Sequence, residues 1–258
     1  MSDNWILGNE PVPERLNVRR EISEIRRDPM RPFVDRLRKR SQLPVLADDI
    51  GLYEEAYEFF RLSYERFLPE LSIAWRWRNT AYYAWKNHRP YTPSERVITA
   101  KFRPISAFFH YDFWNCLVHS RILCDRAIRL TRHIMRGRQL PSFTSFAEHK
   151  KFFIKGLTPG PDYDEYACKL RDDTAWFDLP LKHVRDKYFV HVMGDHMRFF
   201  GHADGGDLQV ILHPIVHGSA TPLSAPPIMV SVRRLARDIC GFLDWLARYG
   251  RRSLKAAA

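Results

Sequence analysis

The spacing of hydrophobic residues predicts a mainly helical chain. From Asp48, the stretch DDIGLYEEAYEFFRLSYERFL begins with acidic residues and then places apolar residues three to four positions apart, which predicts a helix over about 49–68. After Pro69 we expect a second helix that ends at the loop HRPYTPSER. A final helix is predicted in VRRLARDICGFLDWLARYG, with Gly250 as its stop.

The clearest amphipathic pattern runs from about Ile105 to Met135. At 100° per residue one arc of this third helix is apolar, and it consists of Ile105, Phe109, Cys116, Leu123, Leu130 and Ile134. Ser120 and Ala127 lie beside the arc. Because these side chains are small, we expect a neighbouring helix to approach closely there.

The second half of the chain mixes helices and strands. A short helix is predicted over 142–155, and another begins near Leu181 and ends by Gly201. The alternating apolar residues in LQVIL follow a Gly-rich turn, and IMVSV lies beyond a Pro-rich gap, so we expect a small β-hairpin near 208–232. The predicted fold is therefore mainly α, a helical bundle with a small C-terminal β-hairpin.

The first 45 residues differ from the rest in composition. We predict a basic N-terminal arm over 1–45, carrying one or two short helices, followed by one helical domain over 46–250. Acidic residues are mixed among the many Arg of the arm, which favours a solvated surface or one that docks a partner, with RNA binding as the alternative.

The charge of the chain points to an anionic partner. Its 258 residues carry 41 Lys and Arg against 30 Asp and Glu, a formal net charge of +11. Such a charge is expected of a polyanion binder, and the alternative is a basic protein with no nucleic-acid role.

The sequence contains neither a secretory signal nor an apolar window long enough to span a membrane, so we expect a cytoplasmic protein. The four Cys lack C-x-x-C spacing, and we expect neither disulfides nor a zinc finger.

The helix predicted after Leu181 places an arginine on its buried face. Its apolar stripe consists of Leu181, Val184, Tyr188 and Val192. Arg185 projects near the middle of this stripe, and His191 lies about 120° from Arg185. A straight helix cannot bring these two side chains together unaided, so a bend, another helix or a second subunit must complete the geometry.

An arginine that faces a core requires a partner, because an unpaired buried charge costs several kcal/mol. Asp112 occupies a comparable position on the third helix, and His119 follows along the same edge. One hypothesis is therefore a buried ion pair between Arg185 and Asp112 that locks two helices. In the alternative hypothesis, Arg185 lies in a polar pocket and a ligand phosphate neutralises it.

The string RDKYFVH, from Arg185 to His191, resembles the signature of the HEPN family (higher eukaryotes and prokaryotes nucleotide-binding). In that signature an Arg and a polar residue, here Asp186, precede a His, with four to six residues between the Arg and the His; here there are five. Together with HSRILCDR on the preceding long helix, the string is similar to HEPN-like proteins of abortive-infection and toxin–antitoxin systems. The resemblance covers about residues 50–200.

The resemblance implies a metal-independent endoribonuclease of a defence or toxin–antitoxin type. Arg185 and His191 would be the catalytic pair, with Asp186 as a supporting group and Lys187 as an RNA contact. A histidine exchanges protons near neutral pH, and a guanidinium binds phosphate through two donors. The resemblance also implies a homodimer, no cofactor, and an antitoxin or defence-system protein as a further partner. The alternative is a catalytically inactive HEPN-like module that binds RNA or protein.

A second candidate for RNA binding lies in WRWRNTAYYAWKNHR. There, Trp and Tyr side chains alternate with cations, among them Arg76, Arg78 and Lys86. Aromatic faces that stack on bases beside phosphate-binding cations are typical of single-stranded RNA sites. The alternative is that the aromatic side chains form a stripe that packs on the core.

Other chemistries have weaker support in the sequence. A metal could be bound by His191 and Asp195, with His196, His213 and His217 nearby, but spacing fixes no third ligand and we predict no metal site. The chain has no G-x-S-x-G elbow, P-loop or dinucleotide-binding glycine motif. Nucleotide-dependent enzymes of those classes are therefore not expected.

Overall fold

The computed structural model describes residues 18–40, 43–135, 140–155, 161–183, 200–204, 207–212 and 228–256. The chain is mainly helical, with a small sheet near the C-terminus, which confirms the predicted fold class. Of the helices described, none has the length and continuous apolar character required to cross a bilayer.

In the described part of the chain, all helices except the last precede the three strands of the sheet. The helices are α1 (Val18–Ile25), α2 (Arg31–Arg40), α3 (Pro44–Lys86), α4 (Pro93–Ser106), α5 (Phe109–Ala127), α6 (Thr131–Ile134), α7 (Phe146–Lys155), α8 (Pro161–Asp172) and α9 (Val232–Ala256). A 3-10 turn joins α5 to α6, and a π-helix spans Phe177–His183. The strands are β1 (Phe200–Asp204), β2 (Asp207–Leu212) and β3 (Ile228–Ser231).

Helices α3 and α5 pack against each other in opposite directions. Near the start of α3, Asp49 Oδ2 accepts a hydrogen bond from Arg132 Nε (2.9 Å), just beyond α5. In the middle, the Tyr64 and Ser120 hydroxyls lie 2.9 Å apart. Further along α3, the Phe67 ring contacts Phe109, at the first residue of α5. Successive residues of α3 therefore contact residues progressively earlier in the α5–α6 segment, as expected of antiparallel helices.

The apolar arc predicted for the third helix is confirmed, although its first residue belongs to another helix. Phe109, Cys116, Leu123, Leu130 and Ile134 are all buried. The small side chains of Ser120 and Ala127 are buried beside them, at the close approach to α3. Ile105 lies in α4, because the chain turns at 107–108 before α5 begins.

The prediction that Pro69 separates two helices was wrong. Helix α3 continues through Pro69 without interruption to Lys86. A proline inside a helix removes one backbone hydrogen bond and costs about 3 kcal/mol. Phe67, Leu68 and Leu71 are buried on either side of it, and burying one such side chain contributes about 1.5–3 kcal/mol. Packing therefore offsets the local cost of the proline.

One or two short helices were expected within the first 45 residues, and α1 and α2 lie there. They pack on α3 and α9 and bury Ile25, Phe33 and Leu37 in the common core. The Tyr57 hydroxyl of α3 donates to the Ile25 carbonyl (2.7 Å). The described part of this basic segment is therefore integrated with the bundle.

The predicted β-hairpin is present, but it has three strands instead of two. Strand β2 pairs antiparallel with β1, with Gly201 opposite Val210, and antiparallel with β3, with Val210 opposite Val230. Strand β1 includes Phe200 and Gly201, which we had assigned to the end of the preceding helix. Residues 200–204 form a strand because they can pair with β2, which satisfies their backbone hydrogen-bonding groups. The local sequence pattern of these residues did not predict a strand.

A helix was predicted over 142–155, and a buried histidine of that helix forms a hydrogen bond with the next helix, α8. The helix observed there is α7, and its His149 Nε2 lies 2.7 Å from the Tyr166 hydroxyl of α8. Burial lowers the pKa of His149 to about 3. At neutral pH the imidazole is therefore neutral and serves as a hydrogen-bonded part of the core.

The prediction that Gly250 ends the last helix was also wrong, since α9 continues to Ala256. The glycine has a different role, because it is the point at which α9 meets α2. A Cβ atom built at position 250 would lie 2.6 Å from Phe33 Cζ. Phe33 is fully buried, so its ring has little room to move away.

We predict that Gly250→Ala lowers the free energy of unfolding by about 1–3 kcal/mol, the usual cost of overpacking a core. Gly241→Ala on the same helix is the matched control, because nothing lies within 4 Å of a Cβ there. The control should be neutral or slightly stabilising, since alanine is the better helix former. Urea unfolding of both variants measures the difference, and equal stability of the two variants would contradict the proposed contact.

Candidate nucleic-acid interface

Helix α3 is much longer than the helix on which it packs. Its 43 residues span about 64 Å, whereas Phe109–Ile134 spans about 39 Å. Beyond Leu71, α3 therefore extends past the start of α5, and α4 packs along this extension. We call residues 71–108, which comprise the end of α3, a loop and α4, the basic hairpin.

An ion pair holds the loop of the basic hairpin. Arg89 donates from both terminal nitrogens to the Glu95 carboxylate, each at 2.6 Å. The Thr92 backbone N–H also donates to Glu95, which completes a capping box at the start of α4. The guanidinium of Arg89 and these donors lower the pKa of Glu95 to about 2.

The charge of the basic hairpin is strongly one-sided. Residues 71–108 contain seven Arg and Lys and one Glu, a formal net charge of +6, which is more than half of the net charge of the chain. Glu95 is the one acid and is already bound by Arg89. The remaining cations are Arg76, Arg78, Lys86, Arg96, Lys101 and Arg103. This concentration of positive charge attracts a polyanion.

The aromatic side chains of the hairpin divide between packing and exposure. Trp75 is buried, and Trp77 stacks on Phe102 of α4 at 4.3 Å between ring centroids and 17° between planes. Tyr83 is 43% exposed and Trp85 is 61% exposed. The packing alternative therefore holds for Trp75 and Trp77, while Tyr83 and Trp85 keep accessible faces.

Three of the four cations predicted to contact RNA, Arg76, Arg78 and Lys86, lie on the α3 side of the hairpin. Arg76 and Lys86 are exposed, and the Lys86 ammonium lies 5.8 Å from the centroid of the Tyr82 ring. Arg78 is partly buried, and burial lowers its pKa to about 10. Arg78 remains charged at neutral pH, so the hairpin keeps all of its positive charge.

Asp112, the expected partner of Arg185, already has a cationic partner on α3. Arg66 Nε donates to Asp112 Oδ2 at 2.9 Å, and the Asp112 side chain is only 5% exposed. Glu70, one turn further along α3, lies 3.7 Å from the same Arg66 Nε and is affected by the charge of Asp112. Burial and the nearby charge of Asp112 raise the pKa of Glu70 to about 7. The site thus consists of two neighbouring acidic side chains that share the guanidinium of Arg66.

His119 lies in a packing position on the same helix. Its ring stacks on Phe59 of α3 with 5.4 Å between centroids and 17° between planes. Partial burial lowers the pKa of His119. Asp112 and His119 therefore both face α3, but they contact different residues, and the described structure does not bring them into one site.

The predicted catalytic motif lies outside the described residues. This applies to Arg185, Asp186, Lys187 and His191, and also to the potential metal ligands at 195, 196, 213 and 217. Within the ranges that the structure describes, no three His, Cys, Asp or Glu side chains are grouped to hold a metal ion. The roles of the motif residues therefore remain predictions from the sequence.

Sequence reasoning missed half of the basic hairpin. Helix α4, apart from its last two residues, lies in a stretch to which we assigned no helix, and it carries Arg96, Lys101 and Arg103. The signal was present as TPSE, a threonine three residues before a glutamate with proline at the first helical position. The raised pKa of Glu70 was also not predicted. Its position in the helical pattern is that of an ordinary surface glutamate, and the sequence does not indicate that Asp112 lies nearby.

Comparisons with protein-family models, with curated proteins and with solved structures gave no match for this chain. The HEPN assignment therefore depends on the sequence motif alone. What the described structure adds is the position and charge of the basic hairpin, which do not depend on that assignment.

We predict that Glu70 makes the protein less stable as the pH rises. The pKa of Glu70 is about 7 in the folded protein, above its ordinary value of 4.5. Between these two values the folded protein keeps a proton that the unfolded chain releases, so the free energy of unfolding falls as pH increases. Glu70→Gln should remove this slope and exceed the wild type by about 1–3 kcal/mol at pH 8.

Urea unfolding between pH 4.5 and 8 measures this effect. Glu55→Gln is the control, because Glu55 is an exposed residue of the same helix and should leave the slope unchanged. If Glu70→Gln showed the same pH dependence as wild type, the raised pKa of Glu70 would be refuted.

Proposed function

We propose that this protein binds single-stranded RNA through the basic hairpin. The observation that carries the proposal is the net charge of +6 on a helical hairpin that extends beyond the α3–α5 pair. Cations that neutralise phosphates supply most of the affinity of non-specific nucleic-acid binding. Exposed aromatic faces next to them stack on unpaired bases, which favours single strands over duplexes.

We further propose, on the resemblance to the HEPN family, that the bound RNA is cleaved without a metal. In this proposal His191 exchanges a proton with the ribose 2′-hydroxyl, and Arg185 stabilises the charge on the scissile phosphate, assisted by Asp186, with Lys187 on the RNA backbone. The activity would serve a cytoplasmic defence or toxin–antitoxin function, in a homodimer restrained by a partner protein. An inactive module that only binds RNA or protein is the second candidate.

We predict that the double variant Arg76→Gln/Lys86→Gln binds RNA more weakly than wild type. For a labelled 20-nucleotide single strand in EDTA, removing two phosphate contacts should lower the slope of log K against log salt by about 1.4. Trp85→Ala should weaken binding about 5-fold or more through lost stacking. Fluorescence anisotropy over a series of salt concentrations measures both effects.

Arg20→Gln/Arg234→Gln is the matched control for the hairpin variant. It removes the same charge from two exposed side chains outside the hairpin, on α1 and α9. Equal weakening by the hairpin pair and by this control pair would contradict a specific interface.

The same reactions test cleavage. Products with cyclic-phosphate ends, lost in both Arg185→Ala and His191→Ala, are expected of the ribonuclease. Salt-sensitive binding without any cleavage would instead identify the binding module.

A further inference from the structure

A second concentration of arginine lies away from the basic hairpin. A groove of about 620 Å³ is bounded by α2, α8 and α9, and it is lined by Arg36, Glu165, Trp245, Arg248, Arg251 and Arg252. Four of the six lining residues are arginine and one is acidic. We call this feature the arginine groove.

The arginine groove and the basic hairpin lie at opposite ends of α5. A Cβ at Gly250 would lie 3.2 Å from Ile134 Cδ1, which places this part of α9 beside the far end of the α5–α6 segment. The basic hairpin adjoins Phe109, at the start of α5. The two surfaces are thus separated along a segment of about 39 Å.

The contact between Phe33 and Gly250 explains how arginines from two helices reach one groove. The glycine lets α2 and α9 approach closely. Arg36 follows Phe33 by about one helical turn, and Arg251 directly follows Gly250. This contact between the two helices therefore has an arginine beside it on each helix.

The groove keeps an excess of positive charge. Arg252 pairs with Glu165 at 2.5 Å, and Arg248 pairs with Asp244 at 3.0 Å, but both arginine side chains are about 60% exposed, so these pairs are weak and exchangeable. Arg36 and Arg251 form no ion pair with any residue in the described ranges. Like charges gathered in this way repel one another, and an anion in the groove relieves that repulsion.

An aromatic wall lies beside these cations. Trp245 stacks on Tyr249 at 5.4 Å and 25°, and the Lys169 ammonium lies 5.7 Å from the centroid of the Trp245 ring. Arg252 lies 6.0 Å from the centroid of the Tyr249 ring. Of the two rings, Trp245 lines the groove, whereas Tyr249 is buried behind it. An unpaired base can therefore stack on Trp245 or on a guanidinium plane.

We propose that the arginine groove is a second binding site for RNA, in which guanidinium groups hold backbone phosphates next to the aromatic wall. This inference rests on the proposed RNA-binding function and extends it to a second surface. The groove lies within the range of about 300–1,000 Å³ that small-molecule sites occupy, which suits a nucleotide unit better than a lone phosphate ion. Guanidinium groups bind phosphate through two parallel donors.

The test compares Arg36→Gln/Arg251→Gln with the hairpin variant Arg76→Gln/Lys86→Gln and with the control Arg20→Gln/Arg234→Gln. The groove pair should weaken binding of the labelled 20-nucleotide RNA by about 5- to 10-fold at moderate salt and lower the salt slope by about 1.4. Arg36→Lys/Arg251→Lys should keep the slope, because it keeps the charges. Thermal unfolding checks that each variant is folded.

The outcomes separate this inference from the proposed function. If wild type does not bind the RNA, the proposed function fails and the inference fails with it. If the hairpin variant weakens binding and the folded groove variant binds like the control, RNA binding stands and the arginine groove is excluded.

Uridine monophosphate that competes as well as the RNA strand would assign the groove to free nucleotides. Poly-glutamate binding that depends on the groove, without loss of RNA binding, would assign it to an acidic protein; either result overturns the proposal.

Discussion

The antiparallel packing of α3 on α5 is the constraint on which the rest of the structure depends. Two ion pairs fix its register, one between Asp49 and Arg132 at one end and one between Asp112 and Arg66 towards the other. Breaking a buried or half-buried pair leaves an uncompensated charge, so a shifted register is costly. Because this register is fixed and α3 is the longer helix, its last turns must extend beyond α5.

The extension explains where the charge of the chain lies. The helices around the α3–α5 pair bury their apolar faces in a common core, so a larger share of their surface is covered by neighbouring helices. On the extension, α3 packs chiefly on α4, and no residue of α4 is buried. Exposed cations there, such as Arg76 and Lys86, remain solvated, so positive charge can collect at a small desolvation cost, which falls mainly on the partly buried Arg78. The same geometry keeps Tyr83 and Trp85 accessible for stacking.

Much of the helical framework could be predicted from the sequence. The apolar arc of α5 was predictable because side chains at Cys116, Leu123 and Leu130 recur at helical spacing, and burial follows such spacing directly. Pro69 and Gly250 misled local reasoning, because both residues usually end helices and here packing overrides that tendency. Neither the neighbour of Gly250 nor the partner of Asp112 is encoded nearby in the sequence, since both contacts join distant segments.

Some residues of the candidate RNA-binding surface could be predicted from the sequence, and others could not. Arg76, Arg78 and Lys86 were identified from their alternation with aromatic residues, whereas the cations of α4 join them only once the chain has folded back. The Arg185 and His191 motif remains a prediction from sequence resemblance, and it could be recognised only because its residue types and spacing are chemically distinctive. Charge placement depends on tertiary packing, so composition alone could indicate a polyanion partner but not its binding surface.

The most direct test of the central claim is to map where RNA touches the protein. Wild-type protein is irradiated with a single-stranded RNA that contains 4-thiouridine, and the crosslinked peptides are identified by mass spectrometry. We expect crosslinks within residues 71–108, at or near Tyr83 and Trp85, where aromatic faces are exposed. Efficient crosslinking elsewhere in the chain with none in 71–108 would contradict the account.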